Sequence, residues 1–151
     1  MYHFIVKRIV QHGFREMSKG NYEAAIKLFT PDIHFKFEGN HALGADLHSV
    51  EAVREWFQRI SRIFPGLQFK PQRIIVSGMP WATHVATQLQ ISATLPDGRL
   101  YQNTAVQFLH LKWGRVLTDY VLEDTQILVT ELENMGRQGN AEALAQPMRG
   151  G

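Results

Sequence analysis

Between Arg115 and Glu123 the sequence places one acid where it could act as a base. Side chains alternate along a strand, so Leu117, Asp119, Val121 and Glu123 fall on one side and Val116, Thr118, Tyr120 and Leu122 on the other. If the first set faces a cavity, Asp119 is a carboxylate among apolar neighbours. Burial penalises its charged form and lifts its pKa toward the working range of a general base. If that set faces water, Asp119 is a solvated or Arg-paired surface acid. Glu123 and Asp124 read as a solvated strand end and a helix cap.

A second polar set lies upstream. His84, Gln88, Gln90 and Ser92 share one face of an extended run, with Val85, Leu89 and Ile91 on the other. Either the polar face lines a pocket, with His84 as a proton shuttle, or it is the wet exterior of a sheet. Phe35, Phe37, Trp56, Phe57, Phe69 and Phe108 offer aromatic surface that could cup a planar ligand, with core packing as the default for each. Tyr22 could donate a hydrogen bond to a ligand oxygen. His34, His41 and His48 recur every seventh residue, but no helix carries them at a ligand spacing, and no metal site is expected. His110 reads as structural. No phosphate-binding glycine loop or serine nucleophile elbow is present, and no cofactor is expected.

These residues must be positioned by a mixed set of elements. Ile5, Val6, Ile9, Val10, Phe14 and Met17 recur at spacings of three and four and describe one helix stripe. Gly20-Asn21 stops that helix and opens a short second one through Tyr22 and Ile26, closed by Thr30-Pro31. Ile33, Phe35 and Phe37 alternate with His34 and Lys36 as a short half-buried strand. Ser49 caps a third helix whose buried stripe is Val50, Val53, Phe57, Ile60 and Phe64, with Trp56 beside it. Long strands follow over 67–77, 82–95, 100–112 and 115–123. Pro71 implies an edge position or a bulge, and Pro96-Asp97-Gly98-Arg99 is a turn. A helix over 124–135 comes last, and the polar, aperiodic segment 136–151 predicts a mobile tail.

Composition sets outer limits. The chain has 151 residues, 44% hydrophobic and 20% charged, which suits one globular domain. A net charge of +2 from scattered Lys and Arg argues against nucleic acid. No apolar run is long enough to span a membrane, and the first residues lack a cleavage site, so a soluble, unexported, cytoplasmic protein is expected. The absence of cysteine excludes disulfides, thiolate metal sites and a cysteine nucleophile.

The order helix, helix, short strand, helix, long hairpins resembles the nuclear transport factor two-like superfamily, and within it the SnoaL-like or ketosteroid-isomerase-like group. The resemblance is carried by Tyr22 to Phe29, by Val50 to Val53 leading to Phe64-Pro65-Gly66-Leu67, and by Gly114-Arg115-Val116 leading to Asp124. It covers roughly Met1 to Glu133 and implies an α+β fold: a curved antiparallel sheet wrapped around helices as a cone, a cystatin-like α+β barrel. On this reading the domain is 1–135, with 136–151 as its tail. A pocket between sheet and helices and a homodimer through the outer face of the sheet are also implied.

Thr118-Asp119-Tyr120 resembles the Arg-Asp-Tyr segment in which limonene epoxide hydrolases carry a catalytic aspartate, which implies Asp119 as base. Aligning the long hairpin on Leu95 to Arg99 puts that family's Arg-x-Asp pair on Gln88 and Gln90, implying that this face lines the pocket. The family's water-holding Tyr and Asn fall on Phe35 and Phe37. With those partners neutral or apolar, epoxide hydrolysis is disfavoured. The resemblance implies instead a cofactor-independent proton-transfer enzyme, of the polyketide cyclase or isomerase kind, acting on a small apolar or polycyclic carbonyl compound. A non-catalytic ligand-binding module is the alternative.

Overall fold

The computed structural model describes residues 1–151. Its elements run α1 (Tyr2–Ser18), α2 (Glu23–Ile26), β1 (Phe29–Phe37), β2 (Ala45–Leu47), α3 (Val50–Ile63), β3 (Gln68–Met79), β4 (Ala82–Thr94), β5 (Leu100–Lys112), β6 (Arg115–Glu123), α4 (Thr125–Arg137), a 3-10 turn (Ala141–Leu144) and β7 (Met148–Gly150). One curved sheet of order β3-β4-β5-β6-β1-β2-β7 wraps the helices without closing into a barrel. It is mixed: the pairs β1–β6 and β2–β7 are parallel, and the rest are antiparallel. No helix is long and apolar enough to cross a membrane.

Turn chemistry sets the register of the long strands. Between β4 and β5, Gly98 takes a φ of 87° and Asp97 Oδ1 accepts the Arg99 N–H at 3.0 Å. Between β5 and β6, Trp113 and Gly114 both have positive φ, as a tight two-residue hairpin turn requires. β3 is an edge strand with a register shift between Pro71 and Arg73, where proline removes a ladder donor.

The helices close the concave side. Ser49 Oγ accepts the Ala52 N–H at 3.1 Å and starts α3, whose buried stripe is Val53, Trp56, Phe57, Ile60 and Ile63. Trp56 thus belongs to the stripe, and its indole N–H donates to the Leu43 carbonyl at 2.8 Å. In α1, Val6 and Phe14 are buried, whereas Ile5 and Ile9 of the expected stripe stay nearly half exposed.

Residues 136–151 are packed rather than loose, which corrects the expectation of a mobile tail. β7 runs parallel to β2, pairing Ala45 with Met148 and Leu47 with Gly150. Arg59 donates to the carbonyls of Ala42 and Gln146, and Arg62 makes a two-point pair with Glu142 at 2.8 and 2.7 Å. The segment lacks periodicity because backbone bonds and two arginines, more than an apolar face, hold it.

Candidate functional site

β4, β5, β6 and β1 each turn alternate side chains toward the helices, and a cavity remains between them. It holds about 930 Å³ of empty space with its mouth counted. Leu89, Ile91 and Leu109 form part of the sheet wall, and Phe35 and Phe37 of β1 with Trp56 and Phe57 of α3 form an aromatic wall. Ile9 and Gly13 of α1 also border the space. Ile9 is 46% exposed and marks the open side. Twenty of the twenty-four lining residues are hydrophobic, so any polar group inside is strongly desolvated.

Asp119 is one of the few polar groups there. Its cross-strand neighbours are Leu109 on β5 and Phe35 on β1, which is why its surroundings are apolar. It is 4% exposed, and burial pushes its carboxyl up to about 7. The opposing influence is a hydrogen bond from Gln107 Nε2 to Asp119 Oδ1 at 3.1 Å, which favours the charged form. Asp119 is therefore poised to exchange a proton near neutrality.

Gln107 and Glu123 complete the polar lining, and sequence reasoning missed both. Gln107 Oε1 is buried with no protein partner, as is Thr87 Oγ1 directly across the β4–β5 ladder. Glu123 is not a solvated strand end. It is 6% exposed, and burial raises its carboxyl to about 7 against hydrogen bonds from Tyr101 and Asn103, both at 3.0 Å. Inward parity with Asp119 was the available signal, outweighed at the sequence level by the adjacent helix cap. Four residues of strand separate the two acids by roughly 13 Å, too far for them to share a proton or a cation.

The other predicted residues divide by face. Phe35, Phe37, Trp56 and Phe57 line the cavity. Tyr22 lies behind that wall, stacked on Phe57 at 4.8 Å with its hydroxyl beside Ser61. His84, Gln88 and Gln90 are on the outer face of β4, correcting the inward placement that alignment implied: the apolar partners Leu89 and Ile91 take the cavity side. His84 stacks on His110 at 4.6 Å there. Phe108 is likewise outside, 52% exposed and stacked over Tyr120 at 6.2 Å. His41 is also a local strut, accepting the Leu43 N–H at Nδ1 and donating from Nε2 to the Glu38 carbonyl.

Comparison with known proteins agrees with this architecture. No curated protein sequence matches the chain significantly. Among solved structures, an NTF2-like protein of unknown function from Burkholderia pseudomallei superposes with a TM-score of 0.72 at 16% identity, over 82% of this chain and 94% of that one. A proposed SnoaL-like polyketide cyclase from a Jannaschia species gives 0.68 at 17% identity, over 85% and 91%. IdmH, a proposed polyketide cyclase from Streptomyces antibioticus, gives 0.68 at 20% identity, over 84% and 97%. These likenesses establish the fold. The family model for the SnoaL-like domain matches residues 10–118, most of the chain, and the protein belongs to that family.

Proposed function

We propose that the cavity is the active site of a cofactor-independent enzyme in which Asp119 is the general base. The observation that carries this reading is the Asp119 carboxylate, buried among apolar side chains of the cavity, with a pKa pushed up to about 7 and a single hydrogen bond, from Gln107, whereas the cavity's other acid, Glu123, is tied to Tyr101 and Asn103. A base of that strength is ionised in a useful fraction at neutral pH and still takes up a proton readily. The substrate is a small, largely apolar carbonyl compound. Asp119 removes a proton from the carbon beside the carbonyl, leaving an enolate. The enolate carbon then either attacks a second carbonyl carbon of the same molecule, closing a ring while that C=O π bond becomes an alkoxide that takes the proton back from Asp119, or, where a C=C bond adjoins, the dienolate takes that proton at its far carbon, giving an isomer. The aromatic wall of Phe35, Phe37, Trp56 and Phe57 suits a planar or polycyclic ligand, and the polyketide cyclase names among the structural neighbours point the same way.

His84 has no part in this chemistry, because it lies across the sheet from the cavity. Its face belongs to a second role. We infer a homodimer through the outer face of the sheet, supported by the exposed Phe108, Val106 and Leu122 on neighbouring strands β5 and β6.

Asp119→Asn tests the catalytic reading, assayed for turnover and for binding across a panel of polyketide-like and steroid-like ketones. A loss of about 10²-fold or more in turnover with binding retained supports it. Unchanged turnover removes Asp119 from the mechanism, and binding without turnover in the parent protein assigns the cavity to a ligand-binding module.

A further inference from the structure

On the outer face, away from the cavity, β1 and β2 bring a second chemical group together. Asp46 and His48 are two residues apart on one extended segment and so project to the same side. His34 sits on the neighbouring strand, one step beyond the pair Phe35–Leu47. Both imidazoles converge on a single carboxylate oxygen: His34 Nε2 lies 2.8 Å and His48 Nε2 3.3 Å from Asp46 Oδ1. All three ligand-capable atoms lie within 4.8 Å of one another.

The geometry points to a surface site for a divalent transition metal, zinc above all, held by His34, Asp46 and His48. Tetrahedral zinc with bonds of about 2.0–2.2 Å needs donor atoms roughly 3.3–3.5 Å apart. The His48 separation of 3.3 Å already matches, and the 2.8 Å contact of His34 must open by about half an ångström. The rings now stack at 4.4 Å and must splay to point at one ion, a rotation that their partial exposure permits. Two imidazoles and one carboxylate suit zinc, cobalt or nickel better than magnesium or calcium, which prefer all-oxygen sets. Half-exposed ligands leave the remaining position to water.

The backbone under the site is fixed. His48 N–H donates to the Gly150 carbonyl at 3.0 Å, and Phe35 and Leu47, between the ligands in register, are fully buried. Two cations flank the site, Lys36 in register with Asp46 on one side and Arg149 on the other. Lys36 is drawn off by Glu38, 3.5 Å from its ammonium. This inference is independent of the role proposed for the cavity.

Calorimetric titration of the tag-free full chain with zinc chloride, and with cobalt chloride followed by visible absorption, tests the site. One equivalent should bind, with a cobalt spectrum of low coordination number, and affinity should fall at least tenfold in His34→Ala and Asp46→Asn. His41→Ala should leave it unchanged. No saturable binding, or binding that survives both ligand substitutions in variants with native circular dichroism, overturns the proposal and leaves a hydrogen-bonded His–Asp–His cluster.

Discussion

Gln107 and Asp119 are joined across the β5–β6 ladder by the one hydrogen bond that the buried carboxylate receives, from Nε2 to Oδ1 at 3.1 Å. That bond holds the Asp119 pKa down against burial. Gln107→Leu keeps the volume and removes the donor, so the Asp119 pKa should rise by about one unit, the worth of a hydrogen bond to a charged group. A carboxyl carbon NMR titration reads this directly, and the acidic limb of the activity profile should move the same way. His84→Ala, on the far face, should shift neither.

Asp119→Asn should stabilise the fold in a pH-dependent way. The acid binds its proton more tightly folded, at about 7, than unfolded, at 3.8. Wild-type stability from this group is therefore complete below the unfolded value and is lost as pH rises toward 7. The variant's advantage should grow between about pH 4 and 7, level off above, and reach on the order of a few kcal/mol. Denaturant melts of both proteins at pH 5 and pH 8 check it.

Glu123→Gln separates the second acid from the first. Its amide oxygen can still accept from Tyr101 and Asn103, so the network should survive while the cost of a buried charge disappears. Melting at pH 8 should rise, turnover should keep most of its value, and the Asp119 titration should stay within about half a unit, given the roughly 13 Å between the acids.

Gly13 gives control of the mouth. It lies inside α1, borders the cavity, and an added Cβ would meet nothing within 4 Å. Gly13→Ala should stabilise the protein by roughly 0.5–1 kcal/mol through helix propensity. Gly13→Leu should instead weaken binding of an apolar fluorescent ligand several-fold while the melting temperature stays near wild type.

Phe108→Glu addresses the outer face. A charge placed beside Tyr120, Val106 and Leu122 should convert a dimer to a monomer in sedimentation velocity without lowering the monomer's helix and sheet signal. A wild-type monomer that does not change with concentration would end the dimer reading.

The long hairpin was legible because two extended runs flank Pro96-Asp97-Gly98-Arg99, whose residues demand a turn. The faces were less so. Alternation in β4 separates His84, Gln88 and Gln90 from Leu89 and Ile91 but does not say which set meets the helices, and an apolar cavity reverses the usual equation of polar with functional. Glu123 eluded sequence reading because its burial depends on Tyr101 and Asn103 reaching across from β5. β2 has three residues, too few for any period, so the spacing of His34 and His48 was visible in the sequence but not the strand that sets Asp46 and His48 beside His34.

The parallel pairing of β1 with β6 governs when the site comes into being. Thr30 bonds to Val116, 86 residues further along the chain, and Phe35 meets Asp119 in the same ladder. Such a contact closes a very long loop, whereas β4 and β5 need only their own turn. During synthesis the hairpin can assemble as soon as it emerges, whereas the edge that β1 offers to β6 waits for almost the whole chain, even though β2 and Trp56 of α3 can already pack on Phe35 and Phe37. The strand that carries half of the aromatic wall thus keeps one edge unpaired until late, and the nascent protein offers that open strand edge beside the place that later becomes its cavity.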